Sequence, residues 1–510
     1  GTSNFRAGVN AGNSIQSGGN FNTVLGDEAG TAITTGDDNV AVGYAAGDAM
    51  TTGSYNAIVG KNSGGAITTG IENVSIGWNS LDALTEGGQN VALGASALGT
   101  DTLGSRSVAV GYQALTTQNF TTATDAHNTA VGYKAGEAVT TGANNTIIGA
   151  NTGLVLTSGS NNNLIGGLAG DALTTGHSNN IMGVSCGTAL TDADYNVAIG
   201  QQALNSDTLG SQTVAIGSFA LSAQNFTTAT NSLNTAVGYA AGAAITTGDQ
   251  NALIGGLAGD ALTVGRRNTA IGVSTLSTDT KGDLSVAIGF GALDTQNFTT
   301  STETDNTAVG AFAGLGVTSG LSNTLIGTNA GDTITTGDFN CIVGADSDTS
   351  IANAQARMVL GFGVSNPTDN SVRIGAGGNF ISNTFTSNAT WAHSSDERLK
   401  ENIQNDTLGL SFIKDLRPVT FTWKKQEDVP EELKSRFEKD TGTHHGIIAQ
   451  EVKAALDTAG VSDFTGWSSD EGTGTQLVSE SMFVYPLIKS VQELSTALDA
   501  ALARIAVLEG

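Results

Sequence analysis

The segment SSDERLKENIQ, residues 394–404, brings a hydroxyl, a carboxylate and an ammonium group close together in sequence, at Ser395, Asp396 and Lys400. A serine hydroxyl becomes a useful nucleophile only when a base takes its proton, so these groups could support acyl transfer. Residues five apart do not share a helical face, and Ser395 can therefore meet Lys400 only if it lies beyond a helix end. The alternative is structural: Ser395 caps a helix, with Asp396 and Glu397 in its first turn. Spacing alone leaves both interpretations open.

The elements that would position these groups follow in the same part of the chain. Charged residues become frequent near Ser394, and helix signals appear with them. A strand-like run lies at 419–423, and the motif HHGIIAQEVKAAL at 444–456 adds another titratable side chain, His445. We therefore expect a small α+β domain over residues 395–510, separate from what precedes it.

The end of the chain carries an apolar heptad pattern. Such a pattern predicts a parallel three-stranded coiled coil over 487–509, because the 4-3 spacing lines up one seam along a helix. The run covers only three heptads, so an amphipathic helix packed on its own domain is the alternative. The seam residues are Leu487, Val491, Leu494, Leu498, Ala501, Ile505 and Leu508.

A repeat dominates the rest of the chain. Its clearest form is Asn39-Val40-Ala41-Val42-Gly43, and successive copies are usually 17 residues apart. The fourth position is aliphatic or Met and the fifth is Gly in every copy. The 19 copies between 22 and 344 begin at Asn22, Asn39, Asn56, Asn73, Asn90, Ser107, Asn128, Asn145, Asn162, Asn179, Asn196, Thr213, Asn234, Asn251, Asn268, Ser285, Asn306, Asn323 and Asn340.

This period predicts a mainly β fold, a parallel β-roll or β-solenoid of 17-residue coils. It is too short for a helical hairpin, and the recurrent Gly and Thr oppose helix. Two short strands and two tight turns fill the period, with equivalent Asn side chains stacked in ladders. The domains are then a lead-in at 1–21, a shaft at 22–344, a β cap or linker at 345–394 and the domain at 395–510.

The strand of each coil predicts self-association. The third and fourth motif positions point to opposite faces, and both are apolar apart from Ser75 in the third position. A thin coil has one interior, so its other dry face is expected to meet another subunit. Three copies around an axis are the simplest closed arrangement.

Three copies of the repeat are longer, at 21 residues, and each contains the run Gln-Asn-Phe-Thr-Thr. The extra residues are expected to bulge as loops that present Phe120, Phe226 and Phe298 as receptor-binding residues, because loops on a rigid scaffold often bind partners. The alternative is that these rings stack within the shaft or clasp the trimer.

Composition excludes several classes of partner. The net charge is −26, and only nine Lys or Arg residues precede residue 395. Nucleic acid and anionic membranes are therefore not expected as partners, because binding phosphate requires cations. The sequence has no run of 18 apolar residues and no signal-peptide pattern, so membrane insertion is not expected. Neither a metal site nor a cofactor is indicated, and Cys186 and Cys341 are expected to be small buried residues.

The repeat resembles the head repeats of trimeric autotransporter adhesins, which carry related S-x-A-I-G motifs in a left-handed parallel β-roll. It is also similar to repeat regions of some phage tail fibres. The resemblance covers roughly 22–344 and implies architecture more than function.

The last part of the chain is similar to the intramolecular chaperone domain of phage tail spikes and fibres, endosialidases among them. The motifs that carry the resemblance occur in the family's order over about 394–510. They are SSDERLKENI at 394–403, the strand ending Trp423-Lys424, the run HGIIAQEV at 445–452, and Tyr485-Pro486-Leu487-Ile488 before the last helix.

The resemblance implies that this domain assembles the trimer and then cuts itself off between Ser394 and Ser395. Ser395 would be the nucleophile and Lys400 its base, in a dyad where burial or a nearby cation is expected to favour the neutral amine. His445 would orient groups or help to protonate the leaving group, and Asp396 would position the loop. The activity would be a single self-cleavage, with none on an external substrate.

The expected protein is a trimeric viral tail fibre or spike subunit for host attachment. It would be assembled in the host cytoplasm and located in the virion. Its partners would be its own copies, a host cell-surface glycan or protein receptor, and other tail or baseplate proteins bound through a region before Gly1. A polysaccharide-degrading spike is one alternative, although most acids lie in turns rather than as a carboxylate pair in a groove. A bacterial trimeric surface adhesin is the other, and it would need a membrane anchor.

Overall fold

The computed structural model describes residues 2–385, 395–430, 442–470 and 474–509. The chain divides into two compact units, Gly1–Ser394 and Ser395–Gly510. The first is a parallel β-solenoid and the second is a small α+β unit.

The solenoid is built on a sheet of 23 strands. Neighbouring strands are parallel and in register, one coil apart, except at the last pair, where Ser371–Ala376 meets Asn379–Thr384 in antiparallel fashion. The strands of the sheet are Phe5–Ala7, Thr23–Leu25, Val40–Val42, Ala57–Val59, Val74–Ile76, Val91–Leu93, Val108–Val110, Thr129–Val131, Thr146–Ile148, Asn163–Ile165, Asn180–Met182, Val197–Ile199, Val214–Ile216, Thr235–Val237, Ala252–Ile254, Thr269–Ile271, Val286–Ile288, Thr307–Val309, Thr324–Ile326, Cys341–Val343, Arg357–Phe362, Ser371–Ala376 and Asn379–Thr384.

A standard coil contributes one three-residue strand, where two were predicted. The Thr-Thr-Gly side remains turn-like, although its backbone still bonds from coil to coil, as from Thr34 N to Thr51 O at 2.9 Å. The Thr34 hydroxyl donates to the same carbonyl at 3.1 Å. Side-chain bonding on this side therefore supports a stack of turns without a second strand.

Gly43 shows why the fifth motif position is Gly. Its φ is +132°, and a Cβ at this position would lie 2.5 Å from the carbonyl oxygen of Gly60 in the next coil. Both the backbone conformation and the close stacking therefore exclude a side chain.

The interior of the coil is filled by three stacked columns. The third motif position supplies one, as at Ala41 and Ile58, and the eighth supplies small residues such as Ala46. Position 12 supplies large aliphatic residues such as Met50 and Ile67, all fully buried. These columns form one continuous apolar core along the solenoid.

The motif asparagines form the predicted ladder. Asn39 is 1 % exposed, and its Nδ2 donates to Asn22 Oδ1 at 3.1 Å and to Gly53 O at 2.8 Å. Its backbone N–H donates to the same Asn22 oxygen at 3.0 Å. Each amide thus satisfies buried backbone groups of its own and the adjoining coils, which explains the residue's recurrence.

The three long coils are not bulging loops, and the prediction that they present Phe120, Phe226 and Phe298 is wrong. These rings are 7 %, 6 % and 8 % exposed. The extra residues form a second parallel pairing with the preceding coil, which turns the phenylalanines inward. The pairs are Gly104–Ser105 with Thr124–Asp125, Gly210–Ser211 with Thr230–Asn231 and Gly282–Asp283 with Thr302–Glu303.

A buried carboxylate supports each long coil. Asp101 and Gln118 take position 12 in adjoining coils, where other coils have aliphatic residues. Asp101 accepts from Gln118 Nε2 at 2.6 Å and from Phe120 N at 3.3 Å. Gln118 also bridges the ladder, since its Nε2 donates to Ser107 Oγ at 3.1 Å and its Oε1 accepts from Asn128 Nδ2 at 2.9 Å. The same network recurs around Asp207 with Gln224 and Asp279 with Gln296.

The solenoid extends past both predicted bounds of the shaft. Within the lead-in assigned to 1–21, Phe5–Ala7 forms a coil strand paired with Thr23–Leu25. At the other end, Arg357–Phe362 and Ser371–Ala376 continue the parallel sheet. A further short pair joins Asp348–Thr349 to Ser365–Asn366, and the antiparallel strand then ends the sheet.

The outer face of the strands is partly exposed and carries an apolar column. Motif positions two and four both lie on this face, opposite the buried third position. In the fourth column, Leu25 is 44 %, Ile76 41 % and Ile254 41 % exposed. A column of aliphatic residues and Met182 therefore runs along the solenoid and is left partly exposed by the described residues.

The second unit has three α-helices and two β-pairings among its described residues. Helices α1, α2 and α3 span Leu410–Asp415, Ala449–Ala459 and Val484–Glu509. Antiparallel pairs join Val419–Phe421 to His444–Gly446 and Trp467–Ser469 to Gln476–Val478, and 3-10 turns lie at Glu397–Leu399, Gln426–Asp428 and Glu480–Phe483. The core includes Leu408, Phe412, Val452, Ala455, Leu456 and Phe483.

Helix α3 is only partly packed on its own unit. Near its start Pro486 and Ser490 are buried, and Glu493 Oε2 accepts from the Leu410 backbone N–H at 2.8 Å, at the start of α1. Residues 494–509 are all exposed, including the apolar seam. The predicted seam is therefore largely uncovered by the described residues.

Candidate functional site

Ser395 and Lys400 lie at opposite ends of a short turn. Between them Glu397–Leu399 forms a single 3-10 turn, after which the backbone of Lys400 is extended. The turn brings the side chains together, and Lys400 Nζ donates to Ser395 Oγ at 2.7 Å. The residue pair that sequence spacing left unresolved is thus within direct proton-transfer distance.

Asp396 caps this turn in the place proposed for Ser395. Its carboxylate accepts from the Arg398 backbone N–H at 2.9 Å and from the Arg398 guanidinium at 3.0 and 2.6 Å. The Arg398 guanidinium is the main cause of a lowered pKa for Asp396. Because Asp396 supplies the cap, the hydroxyl of Ser395 is left free for Lys400.

The environment of the pair differs from the buried one that we expected. Residues 395–400 are all exposed, because no described residue of the second unit covers the turn. In the observed contact the lysine is the donor. To act as a base, the amine must instead accept the serine proton, and loss of water around the pair would favour that neutral form. The predicted scissile bond begins at Ser394, which lies outside the described residues.

His445 lies on a different element from the pair. It is in the strand His444–Gly446, opposite Thr420 of the neighbouring strand, and its side chain is exposed. Across the described part of the chain, no hydrogen bond joins it to Ser395 or Lys400. The geometry therefore brings Ser395, Asp396 and Lys400 together and leaves His445 apart.

His445 lines an apolar cavity of about 430 Å³. Glu480 is the acidic residue of its lining, and Leu487, the first residue of the coiled-coil seam, also borders it. The remaining lining residues are Ile413, Leu416, Pro418, Gly446, Ile447 and Phe483.

The solenoid has surface aromatic pairs, each with at least one exposed ring, that were not predicted from the sequence. Tyr112 and Tyr133 stack with ring centroids 5.6 Å apart and are 47 % and 51 % exposed. The other two long coils form similar pairs, in which the long coil supplies one ring and the next coil supplies the other. These pairs are Phe219 with Tyr239, and Phe290 with Phe312. The available signal was an aromatic residue one or two places after the motif glycine, both in each long coil and in the coil that follows it.

The described residues contain neither a candidate metal centre nor a membrane-spanning helix. No group of three or more His, Cys, Asp or Glu side chains is placed to hold a metal ion there. None of the described helices has the length and apolar character needed to cross a bilayer. Cys186 is buried, which raises the pKa of its thiol to about 12, whereas Cys341 is half-buried.

Comparison with known proteins assigns the segment that contains the pair. Residues 395–461 match the model of a peptidase family described as chaperone of endosialidase. No curated protein and no solved structure matches the chain. The family match indicates autoproteolytic self-cleavage as the general activity of the segment. Together with the parallel solenoid it fits an endosialidase-type tail fibre with an intramolecular chaperone.

Proposed function

We propose that this chain is a subunit of a trimeric viral tail fibre or spike, and that its second unit cuts itself from the shaft between Ser394 and Ser395. The observation that carries the proposal is the 2.7 Å contact between Lys400 Nζ and Ser395 Oγ, at the first residue of the second unit. The start of the family match at residue 395 supports the same boundary.

The proposed reaction is a self-acylation followed by hydrolysis. Ser395 Oγ attacks the carbonyl carbon of residue 394 while its proton passes to Lys400. The C–N bond breaks, the amine of Ser395 takes up a proton, and an ester joins residue 394 to Ser395 Oγ. Water then hydrolyses the ester, releasing a carboxylate at residue 394 and restoring the hydroxyl. The reaction occurs once per chain because substrate and nucleophile belong to the same peptide.

Two exposed apolar surfaces support the trimer. One is the outer strand face of the solenoid and the other is the seam of α3, where Leu494 is 51 % and Leu498 59 % exposed. A strand face about 100 Å long with a repeat of about 4.8 Å fits a partner with that same repeat, which a second copy supplies. The seam suits a coiled coil of the same copies.

Denaturing electrophoresis and mass spectrometry of the expressed chain test the cut. We expect fragments 1–394 and 395–510 from the parent, and an intact chain from Ser395→Ala. The matched control is Ser394→Ala, which removes a neighbouring hydroxyl and is expected to be cut at the same bond. An uncut parent, or cutting in Ser395→Ala, would contradict the proposal.

We also propose that the shaft attaches to the host through its surface aromatic pairs. Rings such as Tyr112 and Tyr133 offer flat apolar surfaces beside polar groups, among them the Lys134–Glu137 ion pair at 3.0 Å. This combination suits a cell-surface glycan or a protein receptor. Three pairs on one chain, multiplied by trimerisation, would increase avidity.

Binding to intact host cells tests the aromatic pairs. The variant Tyr112→Ala/Tyr133→Ala is expected to bind at least tenfold more weakly. The control is Tyr55→Ala/Tyr195→Ala, which removes two tyrosines that are 61 % and 62 % exposed and lie outside the three pairs. Equal loss in both variants, or in neither, would contradict attachment through the pairs. In this proposal the mature fibre is a virion component that joins tail or baseplate proteins.

A further inference from the structure

Two neighbouring asparagines interrupt the outer strand face near the middle of the solenoid. Asn163 and Asn180 occupy motif position two in successive coils and are direct partners in the parallel sheet. Asn163 Nδ2 donates to Asn180 Oδ1 at 2.7 Å, on the exposed side of the strand. They are distinct from the buried ladder, which begins each motif one residue earlier at Asn162 and Asn179.

Asparagine is unusual in this column. Position two elsewhere in the 19 motif copies is Val, Thr, Ala or Cys. The strands on either side supply Thr146 next to Asn163 and Val197 next to Asn180. A solvated strand face would tolerate many polar residues, yet the two amides occur only as one pair in adjoining coils. The fourth column beside them is aliphatic or Met in every copy.

Nearly identical coils create a problem of register for parallel copies. Sliding one copy along another by one coil, about 4.8 Å, restores almost every aliphatic contact of the fourth column. The aliphatic face therefore supplies affinity but little discrimination between alignments. A buried polar residue can provide that discrimination, as an asparagine does in the core of a coiled coil.

We infer that Asn163 and Asn180 set the axial register of the copies in the shaft, an inference that rests on the proposed trimer. In the aligned assembly the amides of all three chains lie at the same height and bond to one another. After a slip of one coil, Asn180 of one chain faces Val197 of the next and one Asn163 faces Thr146, while a single Asn163–Asn180 contact between chains is kept; after a slip of two coils none is kept. Each lost contact leaves amide groups without their interchain hydrogen bonds in a dry interface, so the misaligned states are disfavoured.

The test compares the full-length parent with Asn163→Val/Asn180→Val, which gives both positions the residue found at Val197 and Val214. The control is Thr129→Val/Thr146→Val, which makes the column equally apolar but leaves the amides in place. Solution mass reports the number of chains, and electron cryomicroscopy of the particles reports the height of each chain at the shaft ends.

We expect trimers in all three samples. The parent and the control should give a single aligned class. The asparagine variant should melt at a higher temperature and give additional classes in which one chain is displaced by a multiple of about 4.8 Å. A single aligned class in the asparagine variant, or a parent whose two amides face away from the partner chains, would overturn the inference. A monomeric parent would instead contradict the trimer itself, and the mass measurement detects this independently of register.

Discussion

Arg357 occupies the ladder position that follows Asn340: its backbone N–H donates to Asn340 Oδ1 at 3.1 Å, as the next asparagine would. Its side chain is 1 % exposed and turns into the end of the solenoid. The guanidinium donates to the carbonyl of Asn366 at 2.7 Å and forms an ion pair with Asp369 at 2.7 Å. The asparagine ladder thus ends at a buried guanidinium, which supplies hydrogen bonds to polar groups of the last coils.

Replacing this cation should loosen the end of the shaft. Arg357→Met removes the donor to the Asn366 carbonyl and one of the donors to Asp369, which keeps the Gln355 N–H at 2.9 Å. Because Asp369 is 43 % exposed, we expect a loss of about 2 kcal/mol in local opening free energy. Hydrogen exchange of residues 340–376 measures this. Arg106→Met is the control, because Arg106 pairs with Asp125 at 48 % and 51 % side-chain exposure and should contribute less than about 1 kcal/mol. Equal protection in both variants would contradict the capping role.

The contributions of positive charge and of basicity to self-cleavage can be tested separately at Lys400. Lys400→Arg retains the positive charge, but guanidinium does not give up its proton in proteins, so we expect it to abolish self-cleavage as completely as Lys400→Met. The control is Lys425→Met, whose side chain is 81 % exposed. Time courses on denaturing gels measure all three, and processing by Lys400→Arg would exclude lysine as the base.

The buried Asp–Gln pairs should be strongly coupled. Burial raises the pKa of Asp101, while its bond with Gln118 acts in the opposite direction. Gln118→Leu removes that bond and should destabilise the long coil by on the order of 2 kcal/mol. Asp101→Leu/Gln118→Leu restores an aliphatic column and should recover part of the loss. Thermal melts measure the series, with the exposed Gln201→Leu as the control, and additive losses in the double variant would contradict the coupling.

Asp348 predicts a pH dependence near the end of the shaft. Burial, followed by a hydrogen bond with Asp332, raises its pKa from 3.8 to about 6. Because the folded state holds this proton more tightly, the stabilisation is complete below about pH 4 and is lost as pH rises through about 6. The change amounts to at most about 3 kcal/mol. Between pH 4 and 7 the stability of the parent should fall by up to this amount relative to Asp348→Asn, whose amide does not titrate. Thermal melts of both proteins measure this, and parallel curves would contradict the assignment.

The architecture could be predicted because stacking imposes a fixed period. Every coil must have nearly the same length, so Asn39, Asn56 and Asn73 recur at intervals of 17 residues, and their ladder is visible in the sequence. The first coil was missed because Asn4 precedes Asn22 by 18 residues and Arg6 stands in the third position.

The structure of the long coils is harder to predict from the sequence. An insertion suggests a loop, but its residues pair with the preceding coil and bury Phe120. The sequence signal for the buried insertion lies at position 12 of the repeat. Asp101 stands there 17 residues before Gln118, and this column is aliphatic or Met outside the three Asp–Gln pairs. The contact between Ser395 and Lys400 depends on a single 3-10 turn, which residue spacing cannot specify.

The antiparallel strand Asn379–Thr384 has a consequence for the processed fibre. It precedes residue 394, so it would remain with the shaft after the cut. An open end of a parallel stack is a template onto which further strands can polymerise. A strand of reversed direction interrupts the parallel in-register pattern, so another coil cannot stack on it as the earlier coils stack on one another. After removal of the second unit, this end of the shaft would therefore be a poorer template for the end-to-end addition of a second solenoid.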